Sequence, residues 1–253
     1  MQKKFKIISV LVSVTLIICL SAITAVTNSA VVFSGGATKL LPIYSVERSD
    51  NKISISFDCA YGVEYTDELL RVLNEYQVKC TFFAVEFWVE KYPSYAKKIV
   101  ENGHELQTHS STHPKMSTLN KSQIEKELTS SIAKIESVTG QKVTLFRAPF
   151  GDYDNDVISV ANSLNLRTIQ WDVDSLDWKD TATPDSICKR VTSKVKNGSI
   201  VLFHNDADHT PEALPTILKC LKDDGYEFVF IEDLIYKENY EIKHDGTQCE
   251  IQN

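Results

Sequence analysis

The chain has 253 residues, 43% of them hydrophobic and 24% charged, with a formal net charge of -7. That length suffices for one large domain with its own core, and the acidity excludes nucleic acid as a partner, because phosphate binding requires a basic surface. No long block of like charge, internal repeat or low-complexity segment marks an interaction tail.

Lys3, Lys4 and Lys6 precede residues 7–26, a run without a charged side chain. About 20 apolar residues span a bilayer as a helix, and the basic flank stays on the cytoplasmic side. A cleaved signal peptide fits a basic start and an apolar stretch as well. The run is long for a signal core, and Thr27-Asn28-Ser29-Ala30 is a poor cleavage site, so an anchor over residues 1–27 is preferred. Either reading exports the remainder, giving an extracytoplasmic protein held at the membrane, or secreted if the segment is cleaved. Residues 28–50, containing Gly35-Gly36, read as a linker, and residues 237–253 as a tail.

Six cysteines are present. Cys19 follows Ile18 inside the apolar run, which disfavours lipid attachment. The other five have neither a disulfide framework nor CxxC spacing.

From Lys52 onward, short β-type runs alternate with helical ones. Ile53-Ser54-Ile55-Ser56-Phe57 alternates with period two and predicts a strand. Thr66 is placed to cap a helix carrying Leu69, Leu70 and Leu73. Residues 79–85 predict a second strand, and a helix is expected from Pro93 to Asn102-Gly103. The clearest helix is 121–138, with Ile124, Leu128, Ile132, Ile135 and Val138 at helical spacing and Gly140 as its stop. Strands are predicted at 143–146, 166–169, 200–203 and 228–231, with helices near 155–164, 185–197 and 211–224. Such alternation implies parallel strands joined by crossover helices, and about seven units favour a (β/α) barrel over an open sheet.

Active residues of such folds gather where strands end. Asp58 and Cys59 follow the first strand. His109 and His113 sit four apart in a loop, and Arg147, Asp174, Asp177, Trp178 and His204 follow later strands. Two imidazoles four apart can share a metal if the backbone turns helically. Singly, each residue also has a structural reading: loop polarity for the histidines, a hydrogen-bonded structural role for His204, a turn former at Asp58 and a surface cation at Arg147. Their joint placement at strand ends is what favours chemistry.

The ordered set Ser56-Phe57-Asp58, His109-Ser110-Ser111-Thr112-His113-Pro114, Arg147-Ala148-Pro149-Phe150-Gly151, Asp174-Ser175-Leu176-Asp177-Trp178 and Leu202-Phe203-His204 resembles the five motifs of the polysaccharide deacetylases. These are carbohydrate esterase family four, the NodB-homology domain. The resemblance spans about residues 50–236, and its details resemble the PdaB-like sporulation branch. It implies a distorted (β/α) barrel over residues 51–236, and a metal-dependent hydrolase that removes N-acetyl groups from an amino-sugar polymer such as peptidoglycan.

By that resemblance, His109 and His113 hold a divalent metal, zinc or cobalt among the candidates, and Asp58 is the base, paired with Arg147. The backbone N–H of Phe150 stabilises the oxyanion. His204 is the acid, oriented by Asp177, and Trp178 and Leu202 wall the acetyl pocket. Asp174 reads as a loop cap.

Two positions depart from the family pattern. The third metal ligand is ordinarily a second Asp after the base, and here that position is Cys59. Its thiolate can be a ligand favouring zinc, or a buried spectator, or a mark of a protein that binds glycan with little turnover. Asn205 stands where the family usually has Asp after the acid histidine. The competing functions are therefore a catalytically silent wall-binding or sporulation protein and an O-acetyl esterase on hemicellulose. The expected partner is an N-acetylated polysaccharide, and a monomer is expected.

Overall fold

The computed structural model describes residues 39–251. The anchor expected over residues 1–27 and residues 28–38 of the expected linker lie outside the described residues. Among the described residues no helix is long and apolar enough to cross a membrane.

The chain forms β1 (Ser45–Val46), β2 (Lys52–Cys59), α1 (Thr66–Glu75), β3 (Thr81–Ala84), α2 (Glu86–Lys91), α3 (Pro93–Glu101), β4 (Glu105–Thr108), α4 (Lys121–Thr139), β5 (Leu145–Phe146) and α5 (Asn155–Ser163). There follow β6 (Arg167–Thr168), β7 (Val173–Asp174), α6 (Pro184–Thr192), β8 (Ile200–His204), α7 (Thr210–Asp223), β9 (Glu227–Phe228), α8 (Ile231–Leu234), β10 (Tyr240–Ile242) and β11 (Thr247–Glu250).

A parallel sheet runs in the order β6-β5-β4-β3-β2-β8-β7, with β9 beside the start of β2. β2 is central, and seven of its eight residues are buried. Its period of two sends Ile53, Ile55, Phe57 and Cys59 into the large apolar cluster shared with the helices. Ser54 and Ser56 take the opposite face, where their hydroxyls donate to the carbonyls of Val229 and Val201. A hydroxyl buried in this way is tolerated because its hydrogen bond is made.

The expected barrel is therefore a half-barrel. β6 and β7 are its edges and do not pair with each other. Only residues 169–172 separate them, whereas a parallel pair needs a crossover of about a dozen residues or more. The gap is bridged by the incoming chain: Ile43 pairs with Ile169 and Ser45 with Ser199. Ile43 and Val46 join Phe83, Leu145, Ile169, Ile200 and the residues of α8 in a second apolar cluster.

The domain boundaries differ from expectation in consequence. Residues read as linker and tail form a small sheet, with β11 pairing parallel to β1 and antiparallel to β10. Gly198 makes the close approach possible. It has φ 78°, a side chain there would meet the Val46 carbonyl oxygen, and its own carbonyl accepts from the Val46 N–H.

α4 starts with a reciprocal Asn120–Gln123 capping box, which the sequence reading did not name, and ends at Gly140 in the left-handed conformation, the stop it predicted. Three local expectations change. α2 was not expected; it is six residues long and buries only Trp88 and Val89, too short a stretch for periodicity to register. Thr66 does not cap α1 but is its first, buried residue, with its hydroxyl accepting from Asn205. The strand expected at 228–231 stops at Phe228, because Ile231 opens α8.

Candidate functional site

The parallel register places Asp58 of β2 directly beside His204 of β8. β4 ends at Thr108, opposite Phe146 of β5, so His109 and Arg147 leave adjacent strand ends together. These strand ends open into a cavity of about 690 Å³, lined by Asp58, His109, His113, Phe150, Trp178, Leu202 and His204 among others. The strand-end logic thus gathers every expected site residue at or under one cavity, with the exception of Cys59.

Arg147 is fully buried. Its Nη1 donates to Asp58 Oδ1 at 2.7 Å, and its Nη2 donates to Ser56 Oγ at 2.8 Å and to the Gln170 carbonyl at 3.3 Å. The guanidinium lies 4.1 Å from the Phe83 ring centroid, a placement that suits a weakly hydrated cation. Burial works against the charge of Asp58, but Arg147 and the imidazoles of His109 and His204 outweigh it and hold the carboxyl below its usual range.

His109 donates from Nδ1 to the Arg147 carbonyl at 2.7 Å, which leaves the Nε2 lone pair toward Asp58 Oδ2, 3.5 Å away. Burial lowers its basicity, and likewise that of His113, to about 4 for the latter. Both rings are therefore neutral, the form that binds metals, and their centroids are 5.0 Å apart. The approach is not made by the helical turn that the spacing would otherwise require. Ser110 and His113 both adopt left-handed backbone, φ 73° and 58°. Glu127 of α4 fixes this bend, accepting from the N–H groups of Ser111 and Thr112 and from the Thr112 hydroxyl.

His204 donates from Nδ1 to Asp177 Oδ1 at 2.8 Å, and its backbone N–H donates to Asp177 Oδ2. Thr210 donates a third bond to that carboxylate. Burial opposes protonation of His204, but the Asp177 bond and charge, with Asp58 and Asp206 nearby, raise its pKa to about 9. Asp174 acts as a loop cap, accepting from the Leu176 N–H, and Leu176 is left-handed at φ 58°. Phe150 turns at φ 60° and sets its ring 4.6 Å from His113.

Cys59 is corrected. It lies in the apolar cluster, fully buried, and burial pushes its thiol well above the ordinary range. Since Asp58 faces the cavity, its neighbour on the strand must face away. The ladder continues through Cys59, whose carbonyl accepts from Val85. Among the described residues no group of three or more His, Cys, Asp or Glu is arranged to hold a metal. Two neutral imidazoles fit a divalent ion; a three-ligand protein site including Cys59 does not.

Asn205 also has a specific task. Its Nδ2 donates to the Gly62 carbonyl and to Thr66 Oγ1, bonds that an ionised Asp could not donate. Sequence reasoning missed Ser56, Gln170, Thr210 and Glu127. The alternation of β2 could have identified Ser56, which shares a face with Asp58; the others come from distant segments without a local signal.

Residues 45–169 match the family model for polysaccharide deacetylase. The chain is 35% identical over 194 residues to the protein YlxY of Bacillus subtilis, covering 77% of this chain and 60% of that protein. It is 30% identical over 197 residues to a peptidoglycan-N-acetylglucosamine deacetylase of Bacillus cereus, covering 76% and 92%. Among solved structures, a CE4 family pseudoenzyme from Bacillus anthracis superposes with a TM-score of 0.74 at 36% identity, covering 76% of this chain and 68% of that one. A mutant of that pseudoenzyme is described as having restored enzymatic activity.

Proposed function

Because the chain belongs to the polysaccharide deacetylase family, we propose that it hydrolyses N-acetyl groups on an amino-sugar polymer of the peptidoglycan type. One observation carries this reading: a carboxylate held ionised by Arg147 and an imidazole held protonated by Asp177 face one cavity beside two neutral imidazoles. Oppositely tuned titratable groups are the mark of an acid and base pair.

Asp58 takes the proton from a water that attacks the acetamide carbonyl carbon. Arg147 keeps that carboxylate ionised and in position. His204 then gives its Nε2 proton to the amine as the C–N bond breaks, yielding acetate and the free amino sugar. Asp177 holds His204 in the tautomer and charge state this requires. His109 and His113 would hold a divalent metal, which would polarise the carbonyl and lower the pKa of the water. The backbone N–H of Phe150 stabilises the oxyanion, and Trp178 and Leu202 wall the acetyl group. The basic and apolar N-terminal sequence supports an extracytoplasmic, membrane-held location for this activity.

The inward burial of Cys59 favours a second reading, a weakly active or silent glycan-binding protein. The test is acetate release from N-acetylglucosamine oligomers and peptidoglycan by the purified protein with zinc or cobalt added. Release that falls about 100-fold or more in His204→Ala supports the hydrolase. Absence of release from a folded protein at every metal would favour the silent one.

A further inference from the structure

Among the described residues, the cysteines Cys59, Cys80 and Cys249 are buried, whereas Cys188 and Cys220 are half-buried and open to small reagents. Those two lie on α6 and α7, the helices that enter and leave β8 and pack against each other. They are far apart in sequence, so spacing along the chain gives no sign of the pair.

The two cysteines stand at the same height. α6 and α7 run the same way, since each joins parallel strands. Their C-caps are Ser193 and Asp224. Just beyond these caps the Tyr226 hydroxyl donates to the Val195 carbonyl at 3.3 Å, which holds the two ends level. Cys188 is five positions before its cap and Cys220 four before its own, a difference of about 1.5 Å along the axes.

They also face each other. Each residue turns a helix by about 100°. Cys188 follows the core-facing Ile187 and Cys220 precedes the core-facing Leu221, so the two are rotated off the core in opposite senses. Parallel helices side by side on one layer present opposite flanks to each other. The other flank of α7 belongs to α1, because Lys222 donates to the carbonyl of Tyr76 at the end of α1. Cys220 is therefore on the flank toward α6. Burial pushes the Cys188 thiol up, and Cys220 and Asp185 lie close enough to add to that shift.

We propose that Cys188 and Cys220 are a modification site, a thiol pair that closes into a disulfide and staples α6 to α7. The reaction requires an external disulfide as oxidant. One cysteine thiolate attacks a sulfur of that donor, expelling one thiol and leaving a mixed disulfide. The other cysteine thiolate then attacks the bonded cysteine sulfur and expels the second thiol. One S–S bond is broken and one formed, and the two electrons and two protons leave with the donor's thiols. The proposed extracytoplasmic location is one where such bonds persist. The closed loop contains β8 with His204, and Thr210, which bonds Asp177. The staple therefore encloses the segment that carries the acid and its orienting contact.

The test is to incubate the reduced, purified full chain with oxidised glutathione, alkylate the remaining thiols, and map the digest by mass spectrometry. A peptide pair joining Cys188 to Cys220, lighter by two hydrogen atoms and separated by dithiothreitol, is expected. The melting temperature should rise by roughly 4–16 °C, the scale of one disulfide in a domain of this size. Cys188→Ser and Cys220→Ser, each at a half-buried position, should melt near the reduced wild type and show no such rise with oxidant. Alkylation of both cysteines, glutathione adducts that do not close, or a bond from either cysteine to a different one overturns the pair. A linked chain that melts at or below the reduced form overturns the staple.

Discussion

Arg147 and Asp58 form a buried ion pair whose value lies in what happens when one member is removed. Arg147→Ala leaves a carboxylate in a site shaped for a guanidinium, and truncating such a pair costs about 3–5 kcal/mol. Urea denaturation should read that loss, and the Asp58 pKa should rise with it. His204 offers a test with a defined direction. Its folded pKa, about 9, lies above the ordinary 6.5, so its contribution to stability is full below about pH 6.5 and disappears as pH rises through about 9. The contribution is on the order of 3 kcal/mol at most. Nuclear magnetic resonance titration should find the imidazole midpoint near 9 and returning toward 6.5 in Asp177→Asn. An unshifted midpoint in that variant would contradict the role given to Asp177. Cys59 is the third residue to test. Its side chain lies on the far face of β2, so Cys59→Ala should leave zinc affinity unchanged in a chelator competition. Weakened binding would mean that the thiol reaches the imidazoles.

At the scale of elements, α4 does more than fill the core. Ile124, Leu128 and Ile135 face inward while Glu127 takes the segment between the two histidines in three hydrogen bonds. Those bonds hold a bend with two left-handed residues, a conformation that costs free energy without outside support. Glu127→Ala should lower metal affinity or kcat/KM about 10- to 100-fold, the effect expected from groups that orient ligands. Global stability should change far less, because Glu127 is no part of the apolar cluster. Glu127→Gln, with one accepting oxygen, should fall between the two. Equal loss of folding stability and activity would assign Glu127 a purely structural role.

For the molecule as a whole, the decisive contacts join the two ends of the described chain. β1 pairs with β11, and Gln248 exchanges hydrogen bonds with the Tyr236 backbone on both its amide atoms. Ending the chain at residue 236 would uncover Val46 and remove these bonds. A loss of about 3 kcal/mol corresponds to a melting temperature lower by roughly 6–12 °C for a domain of this size, which calorimetry would detect. An unchanged melting temperature would return residues 237–251 to the status of a tail.

Periodicity and strand-end position were readable along the chain, because β-alternation, helical spacing and capping act over a few neighbouring residues. They sufficed for the βα order, for α4 with both its ends, and for the ordered motifs that bring Asp58, His109, Arg147, Asp177 and His204 together. Tertiary structure decided the rest. The open edge between β6 and β7, the return of residues 43–46 into that gap and the pairing of β1 with β11 depend on where distant segments meet. So do Ser56, Gln170, Thr210 and Glu127, each defined by a partner far away in sequence. Cys59 shows the division most clearly: its place beside Asp58 is a property of the sequence. The direction it faces follows from a strand ladder continuing one residue further, which only the paired strand β3 imposes.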